Sequence, residues 1–180
     1  MKNKSTKIAL LFSFIFLFVS CKKESTLKTE EKQSSAVLDS LAEKYYDQYL
    51  QFYPLEATSQ GVYKYNDQLT NTIDASFISK EISFYTSIQE ELKNINYNQL
   101  PENQKVVYDV LDYTLKDKIE KYAYHPEYIP FTQFGGLPLD FPLLGSGEGN
   151  QPFQTNKDYD NWLRRMEKFP EWMDTAIANF

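Results

Sequence analysis

Residues 36–52 read AVLDSLAEKYYDQYLQF, and the apolar side chains in this stretch recur at steps of three and four residues. That spacing places these side chains on one face of an α-helix. Ser34 or Ser35 precedes the pattern, and a serine hydroxyl is a favoured cap for a helix start. The stretch therefore predicts an amphipathic helix whose aromatic-rich face packs on a core. The predicted face consists of Leu38, Leu41, Tyr45, Tyr49 and Phe52.

Three later stretches repeat the helical spacing. Asp74 is placed to cap a second helix over residues 75–95, and Pro101 opens a third helix, where proline is favoured in the first turn. Thr155 and Asp158 resemble a capping box before a fourth helix, which Pro170 breaks or bends. The sequence thus predicts an all-α fold of about four to five amphipathic helices. The predicted buried face of the third helix consists of Val107, Val110, Leu111, Leu115, Ile119 and Tyr122.

The helical pattern is interrupted between residues 125 and 153. This stretch holds five of the eight prolines and five of the six glycines, and regular helices exclude both residue types from their interiors. Phenylalanine and leucine side chains lie between them, and that apolar content argues against disorder. The sequence therefore predicts one long Pro/Gly-rich extended segment pinned onto the helices.

The first 20 residues resemble a bacterial lipoprotein signal peptide. Three lysines precede an apolar run over residues 8–19, which is shorter than a membrane-spanning helix needs. Ser20 directly precedes Cys21, the single cysteine of the chain, as a lipoprotein cleavage box requires. We expect cleavage before Cys21 and lipidation of its thiol, followed by a flexible polar tether over residues 21–35. An uncleaved anchor or ordinary secretion is the alternative.

The expected location follows from this leader. The signal peptide would direct export of the protein, and a lipid on Cys21 would attach it to a membrane without spanning it. Lys22 and Lys23 stand where an aspartate would favour the inner membrane, so we expect the outer membrane, on its periplasmic or cell-surface side. Removing residues 1–20 takes away three lysines and no acid, which changes the net charge from −6 to −9. An acidic protein is repelled by phosphates, so no nucleic-acid partner is expected.

Motifs for catalysis are absent from the sequence. One histidine and one cysteine cannot form a zinc site of the Cys/His type. Ser146 lies in Gly145-Ser146-Gly147, which lacks the spacing of a nucleophile elbow and is typical of a loop. Asp109 and Asp112 fit a solvated helix face, and His125 fits helix-end packing. We therefore predict no catalytic residue and no metal ligand in this chain.

The amphipathic pattern stops on Phe180 without a glycine cap or a polar tail. This pattern favours a chain that is truncated within a domain, so that residues 36–180 form the N-terminal helical lobe of a longer protein. A short protein whose last helix packs its phenylalanine into the core is the alternative.

Three stretches carry a family resemblance. Residues 45–61 give an aromatic helix followed by Pro54, Ala57-Thr58 and Gly61. Residues 129–138 read IPFTQFGGLP, and residues 152–170 read PFQTNKDYDNWLRRMEKFP. In their order and spacing, these stretches resemble the N-terminal part of the bacterial lipoproteins called domain of unknown function 885.

The resemblance implies a mostly α-helical protein that is several-fold longer and similar to zinc metallopeptidases. Its metal-binding helix would lie beyond the counterpart of Phe180, so zinc is expected only in the longer parent protein and this chain alone is expected to be inactive. Gln133, Gly135 and Gly136 are the candidates for lining a peptide cleft. Glycine lets a backbone approach a ligand closely, and an extended segment can pair with a bound peptide by strand addition. A structural turn is the alternative for these three residues.

Two functions stay open at this point. The resemblance favours the N-terminal fragment of an exported lipoprotein that is a zinc-dependent, peptidase-like hydrolase acting on peptides. The alternative is a complete small helical lipoprotein that binds peptide, sugar or a protein partner through aromatic side chains. An inhibitor or immunity lipoprotein would also fit the acidity, but no motif supports it.

Overall fold

A computed structural model of the chain describes residues 30–180. The predicted signal peptide and Cys21 lie outside these described residues. Within them the chain forms six α-helices and no strand, which confirms the predicted all-α fold. The helices are α1 (residues 30–52), α2 (Pro54–Ser59), α3 (Ala75–Lys93), α4 (Glu102–Glu120), α5 (Leu137–Gly145) and α6 (Asn156–Asn179).

Two of the three predicted helix caps are confirmed, whereas Ser34 and Ser35, predicted to cap the first helix, lie inside it because α1 begins at residue 30. The Asp74 carboxylate accepts the backbone N–H groups of Ser76 at 2.9 Å and Phe77 at 3.3 Å, at the start of α3. Thr155 and Asp158 form a reciprocal capping box at the start of α6. Each cap satisfies backbone donors that a helix start otherwise leaves unpaired. Helix α6 continues through Pro170. A proline removes only one backbone donor, and the remaining hydrogen bonds and the side-chain packing hold the helix together.

The main core lies between α1, α3 and α4. Leucine and isoleucine side chains from the three helices interlock, and Tyr85 is fully buried among them. A smaller apolar cluster joins α6 to the segment before α3, where Trp172 and Ala176 pack on Ile73. These two clusters position the polar groups and pockets described below. The buried members of the main core are Leu38, Leu41, Tyr85, Ile88, Leu92, Ile95, Leu100, Leu111 and Leu115.

The predicted inner face of α4 was wrong at two positions. Val107 is 37% exposed and Val110 is 60% exposed, whereas Leu111 and Leu115 are buried as predicted. The true face follows Tyr108 and these leucines at steps of three and four residues. Apolar residues lie on two adjacent faces of α4, so the spacing alone is compatible with either face being buried. Packing on α3 decides which face it is.

The extended segment predicted over residues 125–153 is also corrected, because α5 lies in its middle. Pro138 occupies the first turn of α5, a position that proline tolerates. Phe141 then stacks on the rings of Trp162, at 4.5 Å between centroids, and Phe169, at 5.0 Å. This packing stabilises a helix in spite of Pro142. At the start of the described residues, the predicted tether is corrected as well, because residues 30–35 belong to α1.

Candidate functional site

A buried carboxylate lies between α1, α3 and the end of α4. The Glu81 side chain, on α3, is fully buried. It accepts hydrogen bonds from the hydroxyls of Tyr85 at 2.6 Å, Tyr53 and Tyr122. The Lys121 ammonium nitrogen lies 3.6 Å from its second oxygen. These five residues, here called the Glu81 cluster, join three parts of the chain around one negative charge.

The tyrosines of the Glu81 cluster are held in their neutral, donating form. Burial, together with the hydrogen bond to Glu81 and its charge, raises the pKa of Tyr53, Tyr85 and Tyr122 far above the usual range. Burial also lowers the pKa of Lys121, although the charge of Glu81 opposes this effect. A buried charge is tolerated when it is both paired and hydrogen-bonded, and Glu81 meets both conditions.

A second buried charge anchors α6 to residues 54–68. Arg165 is fully buried, and burial lowers its pKa to about 10, so the guanidinium stays charged at neutral pH. It donates to the Thr58 hydroxyl at 2.7 Å, and that hydroxyl donates to Asn66 at 2.7 Å. Its other acceptors are the carbonyls of Pro54 at 3.0 Å, Tyr65 at 3.1 Å and Gln68 at 3.0 Å, and the side chain of Gln151. We call this set the Arg165 cluster.

Two adjoining pockets lie beside these clusters. The first has a volume of about 300 Å³, and its apolar lining includes Leu55, Leu69, Leu137 and Trp172. It lies at the lower end of the size range of small-molecule sites, about 300 to 1,000 Å³. The second pocket has a volume of about 310 Å³ and is more polar. Both are lined by Tyr53, Thr72, Ile73 and Pro130, so we treat them as one double pocket.

The polar lining of the second pocket includes Lys121 and Glu127. One Glu127 oxygen lies 2.9 Å from the His125 Nδ1 atom, and the other is buried without a hydrogen-bond partner. Burial raises the pKa of Glu127, but hydrogen bonds from His125 and a backbone N–H outweigh it and lower the pKa below its usual value. Glu127 is therefore a carboxylate at neutral pH with one unsatisfied acceptor.

Comparison with known families identifies a relationship that covers most of the described chain. The family model described as "Bacterial protein of unknown function (DUF885)" matches residues 54–180. The chain belongs to the DUF885 family. The matched region contains the Arg165 cluster, most of the Glu81 cluster and almost all of the double pocket. Comparisons with curated proteins and with solved structures gave no match.

The three predicted cleft residues of this DUF885 chain lie in one tight turn. Thr132 and Gly135 exchange backbone hydrogen bonds, at 2.9 Å and 3.4 Å, and leave Gln133 and Phe134 at the exposed tip. Gly136 follows, with a φ of +120°, and precedes α5. None of the three predicted residues lines the double pocket. A role for Gln133, Gly135 and Gly136 in ligand binding stays a prediction.

Replacing Gly136 by alanine is expected to lower the free energy of unfolding by about 2–4 kcal/mol. An added Cβ atom would lie 2.5 Å from the Cβ atom of Phe131, at a φ that favours glycine. Gly135→Ala is the matched control, because its Cβ atom would meet nothing within 4 Å. Urea unfolding of both variants measures the difference, and equal losses would contradict this account of the turn.

Sequence reasoning missed both buried charges of the DUF885 chain. Glu81 lies on the apolar face of α3, three residues after Ile78 and four before Tyr85, and this spacing was a usable signal. Arg165 lies three residues after Trp162, and this spacing is equally consistent with a position on the buried face of α6. The other candidates behave as predicted: Ser146 is exposed, Asp112 pairs with Lys116 at 2.6 Å, and Asp109 accepts from a tyrosine hydroxyl on the surface.

Two further properties concern the part of the chain that the structure describes. In residues 30–180, no group of three or more His, Cys, Asp or Glu side chains is arranged to hold a metal ion. None of the helices described there combines the length and hydropathy needed to cross a membrane.

Proposed function

We propose that this chain is the N-terminal helical lobe of an exported, lipid-anchored hydrolase of the zinc-peptidase type, and that its double pocket forms part of the wall that binds a peptide. Membership of the DUF885 family and the resemblance to zinc metallopeptidases support the class of reaction. Zinc would supply an activated water to such a reaction, and its ligands would belong to a longer parent protein. The lobe itself would bind and orient the substrate.

The double pocket is the observation that carries this proposal. It combines an apolar part with a polar part, as ligand pockets commonly do. Its wall is also anchored from two sides. Tyr53 is bonded to Glu81, and the carbonyl of Pro54 accepts from Arg165 at 3.0 Å. A pocket whose wall is fixed in this way is preformed, which reduces the entropy lost when a ligand binds.

The membrane location is a second part of the proposal. We propose that residues 1–20 are a signal peptide and that Cys21 carries a lipid that holds the protein at the outer membrane. The sequence pattern alone supports this part. Metabolic labelling with a fatty acid should label the native protein, and replacing Cys21 by serine should abolish the label. A native protein that is in the membrane without such a label would instead support an uncleaved anchor.

A small, complete lipoprotein that binds a ligand through its surface is the second candidate. Exposed tyrosines favour it, because Tyr113 and Tyr124 lie largely in solvent and aromatic rings stack on sugars and peptides. The two candidates differ in the size of the native protein and in its metal content.

An antibody raised against residues 22–35 tests the choice on the membranes of the source cell. We expect a band several-fold heavier than this chain, and we expect zinc in the protein recovered with the antibody. That protein should hydrolyse short peptides, and a chelator should abolish the activity. A band at the size of residues 21–180 would overturn the hydrolase proposal and favour the binding protein.

A further inference from the structure

We propose that the double pocket binds the amino-terminal end of a peptide, with the free ammonium group at Glu127 and the first side chain in the apolar part. This inference rests on the proposed function for its substrate class and adds which end of the peptide the lobe recognises.

The unsatisfied oxygen of Glu127 is the first observation. Glu127 lines the second pocket, and one of its carboxylate oxygens is enclosed by the protein without a hydrogen-bond partner, so the side chain must turn toward the pocket for this oxygen to contact a ligand. A buried charged acceptor without a partner costs more than a neutral one, and such groups in native proteins commonly accept from a ligand, ion or water. A protonated amine supplies up to three N–H donors and the opposite charge.

The charge of the lining selects a cation over an anion. The charged side chains that line the double pocket are Glu56, Glu127 and Lys121. Lys121 is already engaged, because its ammonium nitrogen lies 3.6 Å from Glu81 and 4.4 Å from the centroid of the Tyr122 ring. With the adjoining Glu81 and Arg165 counted, the surroundings hold three carboxylates and two cations, and groups of the protein already engage both cations. This balance attracts an ammonium group and repels a peptide carboxylate.

The apolar pocket sets the preference for the first side chain. Leu55, Leu69 and Trp172 surround a space of about 300 Å³, which a leucine-sized side chain can enter. Tyr53 and Pro130 line both pockets, so a ligand that occupies one extends past them into the other. The ammonium group and the side chain share the first Cα atom of a peptide, and this allows one residue to place a group in each pocket.

Calorimetric titration of the purified lipoprotein in detergent tests the inference. The probes are the tripeptide Leu-Gly-Gly, its N-acetylated form, and Gly-Gly-Gly. We expect Leu-Gly-Gly to bind at least tenfold more tightly than either of the others, because acetylation removes the charge and glycine leaves the apolar pocket empty. Equal affinity of the acetylated peptide, or no binding of Leu-Gly-Gly up to about 1 mM, would overturn the inference.

Two variants locate the binding. Glu127→Gln keeps the shape of the side chain and should weaken Leu-Gly-Gly at least tenfold, whereas Glu120→Gln, on the exposed end of α4, should leave its affinity unchanged. Should Glu127→Gln fail to fold, Leu69→Ala is the second test, and it should remove the advantage of Leu-Gly-Gly over Gly-Gly-Gly. A folded Glu127→Gln protein with unchanged affinity would contradict the assignment.

Binding and hydrolysis can fail separately. A heavier native protein that cleaves free and acetylated peptides equally would retain the hydrolase proposal and overturn recognition of the ammonium group. If the chain binds Leu-Gly-Gly as expected but the native protein is no zinc-dependent hydrolase, the proposed recognition of the ammonium group stands and the hydrolase proposal is overturned.

Discussion

Replacing Glu81 by alanine is expected to lower the free energy of unfolding by about 3–5 kcal/mol. The substitution removes the acceptor of three tyrosine hydroxyls and leaves Lys121, which is partly buried, without its carboxylate. Unsatisfied buried donors cost free energy because they have lost water and gained no partner. Urea unfolding followed by tryptophan fluorescence measures this loss.

The matched control for Glu81 lies on the same helix. Glu90 is exposed and pairs with Lys93 at 2.7 Å, so Glu90→Ala should cost less than about 1 kcal/mol. Glu81→Gln should lie between the two, because an amide oxygen keeps part of the acceptor capacity. A Glu81→Ala protein as stable as the Glu90→Ala protein would show that the Glu81 cluster contributes nothing to stability.

Arg165→Ala is expected to lower the free energy of unfolding by a similar amount, about 3–5 kcal/mol. The guanidinium binds three backbone carbonyls and two side chains, and its removal leaves these acceptors inside the protein. The variant should also loosen residues 54–68, because this stretch contains most of those acceptors. Limited proteolysis should then cleave within it faster than in the native protein.

The neighbouring arginine provides the control. Arg164 is exposed and forms an ion pair with Asp67 at 3.3 Å, so Arg164→Ala keeps the same helix and loses one surface contact. We expect a cost below about 1 kcal/mol and no new cleavage site. Equal losses for Arg164→Ala and Arg165→Ala would contradict the role given to the buried guanidinium.

The regular parts of the fold were predictable from the sequence. Helical spacing predicted α1, α3, α4 and α6, and the Asp74 and Thr155 caps were predicted from side-chain chemistry. These signals are local, because a cap and a helical face are set by residues within a few positions of each other. Helix α5 was missed, since its stability depends on rings in α6 rather than on its own residues.

The candidate site was much less predictable, because it depends on distant contacts. Arg165 bonds to acceptors up to 111 residues earlier in the chain, and Tyr122 reaches Glu81 across 41 residues. The sequence placed its cleft candidates at Gln133, Gly135 and Gly136, where glycine suggests backbone access. That prediction stays untested. The double pocket is lined by side chains from several separate segments, which no spacing rule brings together.

The Arg165 cluster also fixes an order of events during synthesis. Its carbonyl acceptors leave the ribosome about 100 residues before Arg165 does. At about 5–20 residues per second, translation takes on the order of 5 to 20 seconds to cover that distance. Throughout this interval residues 54–68 lack the guanidinium that binds their backbone, so one wall of the double pocket stays incomplete until α6 has been synthesised.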